Sequence, residues 1–195
     1  YDVSSGSYRL VEKSTYQGSG DDNKIAKTVY YDKNGNVYSR LDFKYDTSSG
    51  ALKETSLYDT NSETTGEGTL SQKTYFTGSK NKELADYSQN YSSGTITNTT
   101  VYYYKDGKRA QDSESNYRYS KSKQVTFRGN PDINGDGVLS DSEIAAARKI
   151  SMLVYDDTHR NAGEEVADYM VTYGDGNSVT RTTVYFYESG ERSKD

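Results

Sequence analysis

The sequence predicts an all-β protein, an elongated antiparallel array of tyrosine-rich hairpins. Three observations carry this prediction. A strand-forming block of Thr, Val and aromatic residues occurs at 28–31, 100–103 and 183–186. A turn signal follows each copy within about four residues. The chain has one proline, Pro131, so these strands are not interrupted by residues that lack a backbone N–H.

Composition favours a thin array over a compact sandwich. Leu, Ile, Val and Phe make up 29 of the 195 residues, which is few for a dense aliphatic interior. A stack in which each unit contacts only its neighbours needs a smaller core. The 21 tyrosines and a formal net charge of only -5 argue against disorder, because disordered chains are poor in aromatics and strongly charged.

Internal repeats support the array. The block Glu83–Tyr87 (Glu-Leu-Ala-Asp-Tyr) recurs 82 residues later as Glu165–Tyr169 (Glu-Val-Ala-Asp-Tyr). A second alignment joins turns beginning at Tyr1, Tyr45 and Tyr91, which are 44 and 46 residues apart. From these spacings we predict degenerate units of about 45 residues, each made of two hairpins, and we interpret the chain as a piece of a longer repeat protein.

The turn residues and the two-residue strand period predict the local geometry. The pairs Asn34-Gly35, Asp106-Gly107 and Ser189-Gly190 are turn signals, and Asn-Gly and Asp-Gly are typical of type I′ turns, which need positive φ at both central residues. Alternate strand residues share a face, and the Val/Tyr(Phe) face is the one we expect to be buried. That face carries Val29 and Tyr31, Val101 and Tyr103, and Val184 and Phe186. The Thr/Tyr face is expected to carry cross-strand tyrosine ladders.

Two segments in the first part of the chain resemble YD repeats. They are Tyr31-Asp-Lys-Asn-Gly-Asn-Val37 and Tyr45-Asp-Thr-Ser-Ser-Gly-Ala-Leu-Lys53. The YD-repeat family builds the extended β-sheet shells of Rhs-type and insecticidal toxin-complex proteins and parts of large adhesion proteins. The resemblance implies an extracellular or cell-surface β-repeat protein, with a toxin-shell fragment as one form of it.

Residues 132–143 match the EF-hand calcium loop at each diagnostic position. Calcium takes six to eight oxygen ligands, and alternate residues of this loop supply side-chain or carbonyl oxygens, with Gly137 at the sharp turn of position six. The predicted ligands at positions one, three, five, seven, nine and twelve are Asp132, Asn134, Asp136, Val138 (through its carbonyl), Ser140 and Glu143. We therefore predict Ca²⁺ as the cofactor.

The residues flanking the loop predict a strand–loop–helix unit. The segment 124–131 is typical of a strand and turn, whereas Ser142–Ile150, with acids early and bases late, is typical of a short helix. This arrangement resembles dockerin-like extracellular calcium modules, although the single loop argues against cohesin binding. The chain thus divides into hairpin repeats at 1–127, the calcium loop and helix at 128–150, and a further hairpin repeat at 151–195.

The residue pattern favours a non-enzymatic role. His159 lies in a polar segment without a nucleophile motif, and there is neither a basic stripe for nucleic acid nor an apolar run long enough for a membrane helix. We expect a segment of an extracellular fibre, filament or adhesin that is rigidified by calcium and associates with itself or with neighbouring repeats. The alternatives are a glycan-binding or adhesion module that uses exposed tyrosines and, with less support, a toxin-shell fragment or hydrolase.

Overall fold

The computed structural model describes residues 10–20, 23–112, 120–156 and 165–187. Within these ranges the chain forms one open antiparallel sheet of eleven strands in which neighbours in sequence are neighbours in space. The strands are β1 (Glu12–Gln17), β2 (Lys24–Tyr31), β3 (Val37–Tyr45), β4 (Leu52–Asp59), β5 (Thr69–Thr77), β6 (Leu84–Ser92), β7 (Thr95–Tyr103), β8 (Lys123–Arg128), β9 (Lys149–Asp156), β10 (Val166–Tyr173) and β11 (Val179–Val184), with one helix, α1 (Asp141–Ala146), between β8 and β9. The prediction of an all-β hairpin array is confirmed. No helix in the described ranges is long and apolar enough to cross a membrane.

The predicted type I′ turn at Asn34-Gly35 is wrong. The β2–β3 connection is a five-residue loop in which the Gly35 N–H donates to the Asp32 carbonyl at 3.1 Å. Only Gly35 has positive φ, at +81°, because the Asp32 carboxylate accepts from the Asn34 and Asn36 N–H groups and holds a wider turn. At the turn that contains Gly107, this glycine likewise has positive φ, at +69°.

Paired left-handed residues do occur, but at other turns. Ser93 and Gly94 between β6 and β7 have φ of 50° and 77°, and Gly176 and Asn177 between β10 and β11 have 64° and 59°. These are the two consecutive positive values that a type I′ turn requires. The third predicted turn, Ser189-Gly190, lies outside the described residues.

The structural repeat is four strands long, which corresponds to the 82-residue offset. Glu83 before β6 accepts a hydrogen bond from the Leu52 N–H at 2.8 Å, and Glu165 before β10 accepts one from the Lys121 N–H at 2.9 Å. Each contact reaches the strand two positions back in the sheet. By contrast, Tyr45 and Tyr91 are three strands apart, so their turns lie at opposite ends of an antiparallel sheet. The 45-residue unit is therefore not the structural repeat.

The repeat also includes a β-bulge with an aspartate. In β6 the register shifts so that Asp86 has no residue opposite it on β5, and in β10 the same holds for Asp168 against β9. Both aspartates are buried. Because of the extra residue, the aspartate of each copy lies on the same face of the sheet as the tyrosine that follows it.

The two faces of the sheet differ in chemistry. We call the side that carries Val29 and Val101 the core face, and both valines are fully buried there as predicted. Val184 and Phe186 are 39 and 65% exposed, so for this third copy the prediction is wrong. The reason is position, because β11 is the last strand of the described sheet and no described segment packs over it.

The other side, which we call the hydroxyl face, carries a ladder of hydroxyl groups. Of the tyrosine contacts expected there, Tyr30 of β2 and Tyr38 of β3 form a cross-strand pair with ring centroids 6.4 Å apart. Directly opposed residues on seven consecutive strands form one row: Thr55, Thr74, Ser88, Thr100, Thr126, Ser151 and Thr172. An amide row runs beside it, with Gln72 donating to Asn90 at 2.9 Å and Asn90 to Asn98 at 2.7 Å. The stacked tyrosines, Tyr75 and Tyr87, lie on the core face with ring centroids 4.4 Å apart.

Two phenylalanines test where the core lies. Phe127 is buried in the cluster beneath α1, so Phe127→Ala should lower the free energy of unfolding by about 3–5 kcal/mol. Phe186→Ala removes the same side chain from an exposed site and should change it by less than about 0.5 kcal/mol. Urea denaturation of both variants measures the difference, and equal losses would contradict this placement of the core.

Tyrosine ionisation should limit stability at high pH. Burial, with a smaller contribution from the Glu165 charge, raises the pKa of Tyr155 to about 12, so the fold favours the neutral phenol. The resulting stability is present below pH 10, the ordinary tyrosine value, and is lost as pH rises towards 12. Tyr155→Phe should therefore reduce the loss of unfolding free energy between pH 10 and 12. Tyr16→Phe, at an exposed ring, serves as control and should keep the wild-type profile.

Candidate metal centre

Within the part of the chain that the structure describes, two segments cover the core face of this one-layer sheet. The loop 60–68, between β4 and β5, packs over β2 and β3. The segment 129–147, which contains α1 and the predicted calcium loop, packs over β6, β7 and β8. Both segments are organised around a buried arginine, and these two arginines are the largest fully buried side chains in the described chain.

Arg40 holds the loop 60–68. Its guanidinium is bidentate to Asp42, with Nε and Nη2 at 2.8 and 3.1 Å from the two carboxylate oxygens. Nη1 donates to the Ser62 and Thr64 carbonyls of the covering loop. All three nitrogens thus have acceptors, as a buried guanidinium requires.

Arg109 holds the segment 129–147 in the same way. Its Nε and Nη2 donate to Asp86, the bulge residue of β6, at 3.1 and 2.5 Å. Nη1 donates to the Leu139 carbonyl at 2.5 Å and approaches the Asp141 carboxylate at 3.5 Å. Burial raises the pKa of Asp86, and the Arg109 guanidinium opposes that rise. One side chain therefore joins the sheet, the turn after β7 and the candidate metal loop.

Apolar packing fixes the loop further. Leu139, at position eight, and Ile144 of α1 are buried against Tyr87, Val101 and Phe127. The Tyr87 hydroxyl donates to the Gly137 carbonyl at 3.3 Å. At the start of the segment, the Thr99 hydroxyl donates to the Gly129 carbonyl at 2.8 Å and the Gln89 amide donates to Asn130 at 3.0 Å.

The predicted ligands at the start of the loop turn their side-chain oxygens towards the loop backbone. The two Asp132 carboxylate oxygens accept from the Gly135 and Gly137 N–H groups at 2.8 and 3.0 Å. Asn134 accepts from the Asp136 N–H at 2.9 Å, and Asp136 accepts from the Val138 N–H at 2.8 Å. Gly137 at position six has φ of +78°, so the turn there needs a glycine.

Glu143, at position twelve, closes the loop. One carboxylate oxygen accepts from the Ile133 N–H at 3.1 Å, which brings the last predicted ligand next to the first residues of the loop. The other forms a capping box with Ser140, the N-cap of α1. Hydrogen bonds from the Ser140 hydroxyl and N–H, and then from Asn134 and Ile133, lower the pKa of Glu143.

The helix after the loop is shorter than predicted. We expected it to extend to Ile150, but it ends at Ala146, and Ala147 is already extended with φ -74° and ψ 150°. The backbone of 149–156 is needed for the ladder to β8 and β10, so β9 begins at Lys149. Strand pairing outweighs the helical propensity of the three alanines. The predicted strand before the loop is present as β8.

The residues present fit calcium by the chemistry of their donors. The loop offers carboxylate, amide and hydroxyl side-chain oxygens and the Val138 carbonyl, which are the hard ligands that Ca²⁺ binds. In the described ranges, no group of three or more His, Asp or Glu side chains forms a metal cluster. An EF-hand loop needs no such cluster, because carbonyl and amide oxygens complete its ligand set. Calcium at this loop stays a prediction.

Sequence reasoning missed Arg109 and Asp86. A signal for the pair existed in the repeat: Asp86 matches Asp168, and Arg109, five residues after Tyr104, matches Arg192, five residues after Tyr187. An acid and a base kept together in both copies indicate a pair. Arg192 lies outside the described residues, as does His159, which the sequence analysis set aside.

No protein-family model matches this sequence, and no curated protein matches it. Among solved structures, a porin-like protein from Bacteroides uniformis is 13% identical, with 85% of this chain and 60% of that chain covered and a TM-score of 0.31. A protein of unknown function from Bacteroides fragilis is 10% identical, with 78 and 94% covered and a TM-score of 0.23. The chain thus spans about 60% of the porin-like structure. Neither likeness carries an argument about function.

Proposed function

We propose that this chain is a non-enzymatic structural element of an extracellular or cell-surface fibre, filament or adhesin, and that calcium rigidifies it. The observation that carries the proposal is the place of the candidate loop. It is bound to the middle of a continuous eleven-stranded sheet rather than to a separate lobe, through Arg109 and two buried side chains. A metal bound there would fix a covering segment onto the sheet.

The open edges of the sheet support assembly. In the described chain, β1 and β11 each pair on one side only, and all side chains of β1 are exposed. An unpaired strand offers backbone donors and acceptors to another strand. The partner we propose is therefore another copy or a neighbouring repeat of the same protein, joined edge to edge. The YD-repeat resemblance is compatible with such a surface array.

The tyrosines favour a structural role over glycan binding. Among the described residues, a lysine or arginine lies over the rings of six tyrosines, at 4.7–5.8 Å from the centroid: Tyr45, Tyr58, Tyr102, Tyr103, Tyr155 and Tyr173. A ring with a cation over its face has less surface for stacking on a sugar. Of the tyrosines that the structure describes, Tyr16 and Tyr38, each 57% exposed, are the rings that a glycan could reach most easily.

Calcium should stabilise the chain. A ligand that binds only the folded state adds RT ln(1 + [L]/Kd), which is about 2.7 kcal/mol at a hundred times Kd. Thermal melts with calcium and with chelator should therefore differ, and chelation should expose the chain between Arg128 and Ile150 to protease. Identical melts and identical cleavage in both conditions would contradict a calcium-dependent role.

Two glutamates give a matched test of the loop. Glu143→Ala removes the predicted bidentate ligand and should abolish most of the calcium-dependent shift in Tm. Glu67→Ala removes an exposed glutamate from the other covering loop and should leave the shift unchanged. A calcium response that survives in Glu143→Ala would place the metal elsewhere.

Assembly should depend on the edge strands. Val179 and Val184 of β11 are exposed, and charged residues on an edge strand oppose pairing with another strand. The variant Val179→Lys/Val184→Lys should reduce concentration-dependent association in sedimentation velocity. Tyr38→Lys, an exposed position on the interior strand β3, should not. A wild-type chain that stays monomeric at all accessible concentrations would count against edge-to-edge assembly.

A further inference from the structure

Arg109 is a buried side chain that contacts both the sheet and the candidate calcium loop through charged hydrogen bonds. It is 2% exposed, and its three guanidinium nitrogens divide between Asp86 on β6 and the Leu139 carbonyl in the loop. Resting on the proposed function, we propose that Arg109 is a positioning residue for calcium: it preorganises the second half of the loop and couples metal binding to the bulge in β6.

The contact lies between the predicted backbone ligand of the loop and the two side-chain ligands that follow it. Leu139 stands between Val138, whose carbonyl is the predicted ligand at position seven, and Ser140 at position nine. The Arg109 hydrogen bond fixes the Leu139 carbonyl, and therefore the peptide plane whose N–H belongs to Ser140. That N–H donates to Glu143, the position-twelve ligand, at 3.0 Å. A fixed Leu139 peptide thus orients two predicted ligands, Ser140 and Glu143, without binding the metal itself.

The coupling runs in both directions. The Arg109 side chain reaches the Leu139 carbonyl only while Asp86 holds its other two nitrogens, and Asp86 faces the core because of the β6 bulge. Metal binding that holds the loop closed stabilises the same bridge, so it also stabilises β6 and the turn 104–110. Such reciprocity is a thermodynamic necessity for two linked equilibria.

Arg40 supplies a matched control within the same chain. It is equally buried, bidentate to Asp42, and donates to carbonyls of a covering loop, but that loop is 60–68, which has no metal motif. Lysine keeps the charge at either site and loses the planar fork, so each Arg→Lys change disturbs one bridge to a similar degree. The two variants separate a specific effect on calcium from general destabilisation.

Calorimetric titration with CaCl₂ tests the proposal. Arg109→Lys should weaken calcium binding by about tenfold, which is the lower end of the range for residues that orient metal ligands, and Arg40→Lys should leave it unchanged. A folded Arg109→Lys variant with wild-type affinity, or equal weakening in both variants, would overturn the proposal. A wild-type chain that takes up no calcium would instead remove the proposed function, and the two failures are thereby distinguishable.

Hydrogen exchange of the wild-type chain keeps the test decisive if Arg109→Lys does not fold. Calcium should slow amide exchange in β6 and in 104–110 as well as in the loop itself, while exchange in 60–68 should not change. Protection confined to 129–147 would show that binding is not transmitted through Arg109 and would overturn the proposal.

Discussion

The architecture depends on one constraint, which is that a single sheet has no second layer against which to bury its apolar face. In a sandwich, another sheet supplies this cover. In the described chain two covering segments do so, and each turns backbone carbonyls of its irregular part towards the sheet. Each therefore needs a buried donor as well as apolar contacts, and a guanidinium with several N–H groups meets that need. Arg40 and Arg109 satisfy the carbonyls above them while Asp42 and Asp86 balance their charge.

The same constraint explains the position of the bulges. A regular strand would place Asp86 on the face opposite to Tyr87, away from the covering segment. The extra residue in β6 puts both side chains on the core face, so that Tyr87 packs under Leu139 while Asp86 receives Arg109. A bulge with a buried aspartate recurs at Asp168, and it marks the four-strand repeat more clearly than the tyrosine motifs do.

Local patterns in the sequence predicted the strands well, because alternation and turn residues act over a few neighbours. These patterns predicted that Val29, Val101 and Val184 are all buried. Val184 is exposed because no described segment packs over the last strand. The calcium loop could be identified because its ligands are contiguous. Arg109 could not be found in the same way, since its partners Asp86 and Leu139 lie 23 and 30 residues away and meet it only in the folded chain. The predicted turn type was wrong where a side chain, such as that of Asp32, accepts hydrogen bonds from the backbone N–H groups of the turn.

The strict order of the strands has a mechanical consequence. In this meander, tension applied across the strands acts on one interstrand hydrogen-bond ladder at a time. An end strand therefore separates from the sheet before force reaches the next ladder. Peeling that starts at β11 would pass β10 and β9 and then meet the segment 129–147. That segment is held to β6 through Arg109 and Tyr87 and to β7 through Thr99. There several bonds must break together. Unfolding under tension would therefore pause at the middle of the sheet, and a second step at higher force would be needed to continue it.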